Sequence, residues 1–282
     1  MSKEGNHHYL SQFHLDEWAG GSGKVIRWRR IEHQHKLAQK LVSTAATAYR
    51  PGLYSIQSSL PENTQIIEKK IFGQIENEAA PILRKLIAEG PDSLSGRERI
   101  RWAVYLNASY LRVPHIVDKF KLQTDAHIRE KLSRQLDEYD SQKADSPEGS
   151  LFEWAMNNRP NRIMNSGMRV LVTMICDERV LQRLSELIWH VADISKASRS
   201  LLIGDNPFQR VGGLYHPSVL ISLPLSPKHL FLATHDQQMA ALVGNKPDRD
   251  IVRASNISTL TTAKQFAYGD AETAFVDKYF LH

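Results

Sequence analysis

Apolar positions recur at helical spacing through the middle of the chain and fall into short, bounded runs toward its ends. Over residues 62–89, Ile67, Ile71, Ile75, Ala79, Ile82, Leu83 and Leu86 repeat at three and four residues, which predicts one buried face of an amphipathic helix kinked by Pro81. Ser95 with Glu98 three residues later has the spacing of a capping box. The stripe behind it, Ile100, Val104, Leu111 and Ile116, extends a second helix through Pro114 toward Tyr139. Ser150 and Glu153 repeat the spacing and open a short helix. Two more helices follow over residues 165–176 and 179–192, the second with Leu181, Leu184, Leu187, Ile188 and Val191 on one face.

Toward the ends the pattern changes. Residues 8–15 read as a strand, Gly20-Gly21-Ser22-Gly23 as a turn and residues 24–30 as a returning strand, together a hairpin. Residues 31–60 carry a short helical pattern (Leu37, Leu41) and then an irregular connection. Residues 200–203 and 219–223 are apolar runs that stop at Gly204-Asp205-Asn206-Pro207 and Pro224-Leu225-Ser226-Pro227, and residues 229–233 form another strand. Residues 249–266, which include Asn256, and 271–279 read as helices. The class is therefore α+β: a mixed sheet built from the N-terminal hairpin and the C-terminal strands, packed on a mainly helical middle. The expected organisation is one domain over residues 1–282, with a polar loop near 140–149.

Composition narrows the setting. With 41% hydrophobic and 24% charged residues there is ample material for a core. No apolar run is long enough to cross a bilayer and residues 1–10 lack the apolar stretch of a signal peptide, so a cytoplasmic location and no membrane partner are expected. Cys176, the only cysteine, sits in an apolar helical pattern that predicts a buried small side chain. The net charge of +5 permits nucleic-acid contact without requiring it. Its densest cluster is Lys24, Arg27, Arg29 and Arg30 around Trp28. This is either a surface that neutralises phosphates and stacks a base, or a solvated strand edge with Trp28 packed inward.

The common catalytic signatures are absent. The chain holds no Gly-x-x-x-x-Gly-Lys loop, no Gly-x-Gly-x-x-Gly, no His-Glu-x-x-His and no Cys-x-x-Cys. His33-x-His35 lacks a completing ligand, His7 and His8 face opposite ways on an extended segment, and Ser226 has no assigned histidine, so none of these makes a site. Several scattered pieces nevertheless fall in one order: His8-Tyr9-Leu10-Ser11-Gln12-Phe13-His14-Leu15, Ile67-Glu68 with Ile75-Glu76, Arg112-Val113-Pro114, Gly204-Asp205-Asn206-Pro207, Pro224 to Pro227, and Asn256. In these the chain resembles the bacterial domain-of-unknown-function family numbered 4238, departing from it in Ser11 for a proline and Gly204 for a serine. The resemblance implies that the polar motifs belong to one structure and suggests one pocket for them; it carries no established activity.

His8, Glu76, Arg112, Asp205, Asn206 and Asn256 include a base, acids, a cation and amides. That mixture suits hydrolysis of a phosphodiester in nucleic acid or a nucleotide, with His8 and Asp205 as base or ligands of a divalent metal and Arg112 steadying the phosphate. The alternative is a non-catalytic binding or effector module. There Asp205 closes a turn, Glu76 and Arg112 pair between helices, and the basic hairpin does the recognising. Exposure separates the two: convergence on an open cleft favours an enzyme, burial with satisfied partners a scaffold.

Overall fold

The computed structural model describes residues 5–31, 34–58, 60–134 and 147–281. Strands β1 (Asn6–His8) and β4 (Tyr49–Pro51) make a two-stranded ribbon. One four-stranded sheet has the order β3-β2-β10-β6, combining β2 (Lys24–Ile31) and β3 (Lys36–Ser43) with β6 (Ile203–Gly204) and β10 (Phe266–Tyr268). A second, order β5-β9-β8-β7, comes from the C-terminal half: β5 (Ile188–Asp193), β7 (Gln209–Val211), β8 (Leu220–Ser226) and β9 (His229–Thr234). The α+β class holds, with strands from both ends sharing the first sheet. All the described pairings are antiparallel.

The expected N-terminal hairpin is re-paired. After β1 the chain turns into the short helix α1 (Gln12–Leu15), and β1 pairs with β4, while β2 pairs with β3 along its whole length. Leu37 and Leu41 suggested a helix because a spacing of four is also an even number, so it marks one face of a strand equally well. In the middle, α2 (Gly73–Glu89) continues through Pro81, and it is preceded by a π-helical stretch at Ile67–Phe72. The capping box of Ser95 and Glu98 opens α3 (Gly96–Leu111). This helix ends at Arg112 because Pro114 forces Val113 to be extended (ψ 144°), and α4 (Pro114–Ser133) starts anew. Residues 140–146 of the expected polar loop, and His33, lie outside the described residues.

Four helices follow: α5 (Leu151–Asn158), α6 (Pro160–Met164), α7 (Ser166–Ile175) and α8 (Glu178–Glu186). The helix expected to reach residue 192 stops at Glu186. Arg99 explains the stop: its guanidinium donates to the Ser185 and Leu187 carbonyls at 2.9 and 3.0 Å and lies 3.9 Å over the Trp189 ring, so the helix end is capped and the chain is released into β5. Cys176, expected inside, is exposed just past α7. The second sheet packs on α2, α3 and α8 through Trp102, Trp189 and Phe231, whose rings approach to 5.4–6.0 Å. Finally α9 (Gln237–Gly244), α10 (Asp248–Thr262) and α11 (Thr273–Phe280) complete the chain. A separate cluster of Trp28, Leu202, Leu260, Val276 and Phe280 joins α10 and α11 to the first sheet. Gly269, at φ +118°, lets the backbone pass there, since a Cβ would lie 2.9 Å from Leu202. Among the described residues no helix is long and apolar enough to cross a membrane.

Candidate functional site

Arg112 is the anchor of the polar interior. As the residue that caps α3 just before the proline-started α4, it points back under β1 with 1% of its surface exposed. Nη1 donates to Ser11 Oγ at 2.9 Å and to Glu76 Oε1 at 2.8 Å, Nη2 donates to the His8 carbonyl, and the guanidinium lies 4.6 Å over Phe72. Its own carbonyl accepts from the Tyr54 hydroxyl at 2.6 Å. Glu76 and Arg112 therefore fix α2 against α3. Both terminal nitrogens of Arg112 are engaged, so it is not free to steady a phosphate as expected; its geometry makes it a positioning residue.

Around this anchor stand two groups with unspent capacity. Glu68, on the π-helical stretch, accepts from the His8 backbone N–H at 3.3 Å through Oε1, while its buried Oε2 has no partner among the described residues. Burial pushes the Glu68 carboxyl up to about 7, with Arg112 pulling down and Glu76 pushing further up. The His8 ring packs edge-on to Tyr49 at 5.6 Å, and its Nε2 is likewise buried and unpartnered. Burial lowers its pKa, with Glu76 and a hydrogen bond of the ring to the Ala45 backbone working the other way. Glu68 lies eight residues before Glu76, so both acids return to one side of the helix; that spacing is the signal by which Glu68 joins the site. π-helical insertions of this kind occur often at functional sites.

The two other histidines near the hub are held by the fold through at least one ring nitrogen, although His7 Nε2, like His8 Nε2, is buried without a partner among the described residues. His7, fully buried, accepts from the Tyr54 N–H at 2.9 Å through Nδ1 and stacks on its ring at 5.5 Å; burial pushes it down to about 4. His14 contacts the Tyr105 hydroxyl and the Pro224 carbonyl, each at 2.8 Å, and burial pushes it too to about 4. The Pro224 motif thus serves to dock α1 on β8. Ser226 does meet a histidine, His229 Nδ1 at 2.8 Å, within the turn between β8 and β9, where its hydroxyl also accepts from the Lys228 N–H.

Asp205 and Asn256 lie apart from this hub and are saturated. The Asp205 carboxylate accepts from the Lys264, Gln265 and Phe266 N–H groups at 2.7, 2.6 and 2.9 Å, and its own N–H donates to the Phe266 carbonyl. It clasps β6 to the start of β10, and burial raises its pKa against those bonds. Asn256, 3% exposed, accepts from the Leu202 N–H at 2.8 Å and donates to the Ser200 carbonyl at 2.9 Å, acting as a surrogate strand for the 200–202 segment. The Asn206 carbonyl accepts from Gln209 Nε2 in the following turn. A shared catalytic pocket for all six residues is therefore not formed: His8, Glu76 and Arg112 come together, and Asp205, Asn206 and Asn256 do not join them.

Asp205 does line a cleft of about 300 Å³ with Tyr9, Tyr49, Arg50, His115 and Lys264. Tyr49 carries the His8 ring on its other contact, so this cleft adjoins the hub. Arg50 is held by Asp118 at 2.8 Å. On β2, Trp28 is buried, donates to the Gly269 carbonyl at 3.0 Å and cannot stack on a base. Arg27 lies 5.1 Å over Phe266 and Arg30 4.6 Å over Phe280, on opposite faces; Lys24 and Arg29 are exposed. Nor is β2 a sheet edge, since β3 covers it. Among the described residues no group of three His, Cys, Asp or Glu side chains is placed to hold a metal ion.

The architecture is that of an α+β protein whose two termini are tied through buried polar residues in separate sequence motifs. The family model described as "Protein of unknown function (DUF4238)" matches residues 6–273, and the chain belongs to that family. No curated protein and no solved structure matches it.

Proposed function

We propose that the protein hydrolyses a phosphodiester in nucleic acid or a nucleotide, with Glu68 and His8 as the proton-transfer pair. The observation that supports this reading is the presence of two buried, unpartnered atoms, Glu68 Oε2 and His8 Nε2, beside one Arg112 anchor. A carboxyl displaced to about 7 is partly protonated at neutral pH and suits a general acid. An imidazole with a lowered pKa is neutral there and suits a general base. In the proposed reaction Tyr49, which lies between the His8 ring and the cleft, moves aside to admit substrate. His8 takes a proton from the attacking water as the new P–O bond forms, and the P–O bond to the departing oxygen breaks as Glu68 gives that oxygen its proton. Glu76 and Arg112 hold the two groups in place. Lys264 in the adjoining cleft supplies positive charge for the phosphate, with Arg50 there already paired to Asp118, and Arg27 beside Phe266 extends the positive surface along β2.

A non-catalytic binding module is the second reading, favoured by the saturation of the Asp205 and Asn256 side chains and the engagement of both terminal nitrogens of Arg112. Assays with bis(4-nitrophenyl) phosphate and with single-stranded RNA and DNA separate the two. Hydrolysis that falls about 10²–10⁴-fold in His8→Gln and in Glu68→Gln supports the enzyme. Undiminished hydrolysis in the double variant removes this pair from the chemistry. Inert wild-type protein that retards RNA or DNA in a gel selects the module.

A further inference from the structure

A second, larger cleft lies on the far side of Asn256. About 580 Å³ in volume, it is bounded by the 197–200 segment, the first two turns of α10 and the start of α11. That volume lies within the range of small-molecule sites. Its first wall is fixed before any ligand arrives. Asn256 donates to the Ser200 carbonyl, Lys228 Nζ to the Ala197 carbonyl at 2.8 Å, and the Leu201 N–H to the Pro227 carbonyl at 2.9 Å. Such preorganisation reduces the ordering cost of binding.

The lining is unusual in its pairing of charges. Arg199, Arg249 and Arg253 converge on the cleft, and so do Asp250, Asp270 and Glu272, with Phe275 supplying an aromatic surface. Arg199 is held by Glu272 at 2.7 Å and Arg253 donates to the Tyr279 hydroxyl at 3.2 Å, while Arg249 has only a long 3.6 Å contact with its neighbour Asp250. With as many carboxylates as guanidiniums, the cleft offers a bare polyanion little net attraction. A ligand that gives an anionic group to arginine, hydroxyl or amino donors to carboxylate and a flat ring to Phe275 matches all three features.

We propose that this cleft binds a nucleoside 5′-monophosphate. Arg249 and Arg253 take the phosphate, Asp270 takes hydroxyl donors of the sugar, and Phe275 takes the base. The site stands independently of the Glu68 and His8 pair, so either can fail without the other.

The test uses the full chain in thermal-shift and calorimetric titrations with the four common nucleoside 5′-monophosphates, inorganic phosphate and adenosine. At least one monophosphate is expected to raise Tm by about 4 °C or more at saturation. Arg249→Ala, an 84% exposed side chain whose loss does not threaten the fold, is expected to weaken that binding about tenfold or more, as is Arg253→Ala. Phe275→Leu keeps the apolar packing and is expected to weaken the nucleotide while leaving phosphate unchanged. Lys264→Ala and His8→Gln are expected to bind as wild type. No shift with any monophosphate overturns the proposal. So does a shift matched by inorganic phosphate, a shift that survives the Arg249→Ala/Arg253→Ala double variant, or one lost instead in Lys264→Ala, which moves the ligand to the cleft beside Asp205.

Discussion

Asp205 and Glu68 are both carboxylates that burial pushes toward the neutral form, yet they are treated in opposite ways. Asp205 spends both oxygens on three backbone amides of one turn. Glu68 receives one amide, at 3.3 Å, and keeps its other oxygen without a partner among the described residues. In the first case desolvation is offset by hydrogen bonds and the residue holds two strands together. In the second the cost is left standing beside the Arg112 anchor, which is what makes Glu68 the group the proposed chemistry uses. Residue type alone does not distinguish them; the count of donors aimed at each oxygen does.

The largest effect expected on this contrast is at the anchor that both hub acids face. Arg112→Met leaves Glu76, Ser11 and the His8 carbonyl without their donor and should cost roughly 3–5 kcal/mol in urea unfolding. A cost below about 1 kcal/mol would mean the hub is not what holds α2 and β1 to α3.

The buried histidines come next. His7 and His14 have folded pKa values of about 4, below an unfolded value of 6.5, so the unfolded chain binds the extra protons between those limits. Their contribution is intact above pH 6.5 and lost as pH falls toward 4, by roughly 2–3 kcal/mol each. Stability measured from pH 7 to 4 should show this decline, and His14→Gln should flatten part of it. A decline unchanged in that variant would point to other groups.

Asp205→Ala follows. It strands the three amides and should cost about 2 kcal/mol, while hydrolysis per folded molecule stays at the wild-type level. Lost activity in a protein that is demonstrably folded would erase the distinction between clasp and hub.

The smallest effect has the opposite sign. Glu68 is charged above pH 4.5 when unfolded and only above about 7 when folded, so its contribution worsens as pH rises through that interval. Glu68→Gln should therefore stabilise the fold by about 1–2 kcal/mol at pH 8 and leave it unchanged near pH 4.5. Destabilisation at pH 8 would show that Glu68 is a structural acceptor like Asp205.

Much of the architecture was legible because it depends on local rules. The capping box at Ser95, the N-cap at Ser150, the stripe over residues 67–86 and the strand at residues 229–233 involve neighbours in sequence. What could not be read locally was decided by distant partners. The Glu186 helix end depends on Arg99, eighty-six residues from the Ser185 carbonyl it caps. Strand β1 finds β4 rather than β2, although the Gly20 to Gly23 turn looked sufficient to close a hairpin. The same holds for the site. The motif that contains Asp205 announced an exposed turn, but whether its carboxylate faced solvent or amides turned on Lys264 to Phe266, about sixty residues later. Glu68 was visible as one of two spaced acids, and only its missing partner, a tertiary fact, gives it weight.

The bond between His14 and the Pro224 carbonyl spans 210 residues of chain. On a ribosome adding about 5–20 residues per second, those two groups are made roughly 10–40 s apart. During that wait α1 lacks its dock, the Leu201 carbonyl that accepts from Trp18 does not yet exist, and β2 has no β10 beside it. The helical middle, by contrast, can consolidate while synthesis continues. The N-terminal segment therefore leaves the ribosome early and settles late, so the nascent protein depends on a stretch of exposed chain remaining unaggregated until its last hundred residues appear.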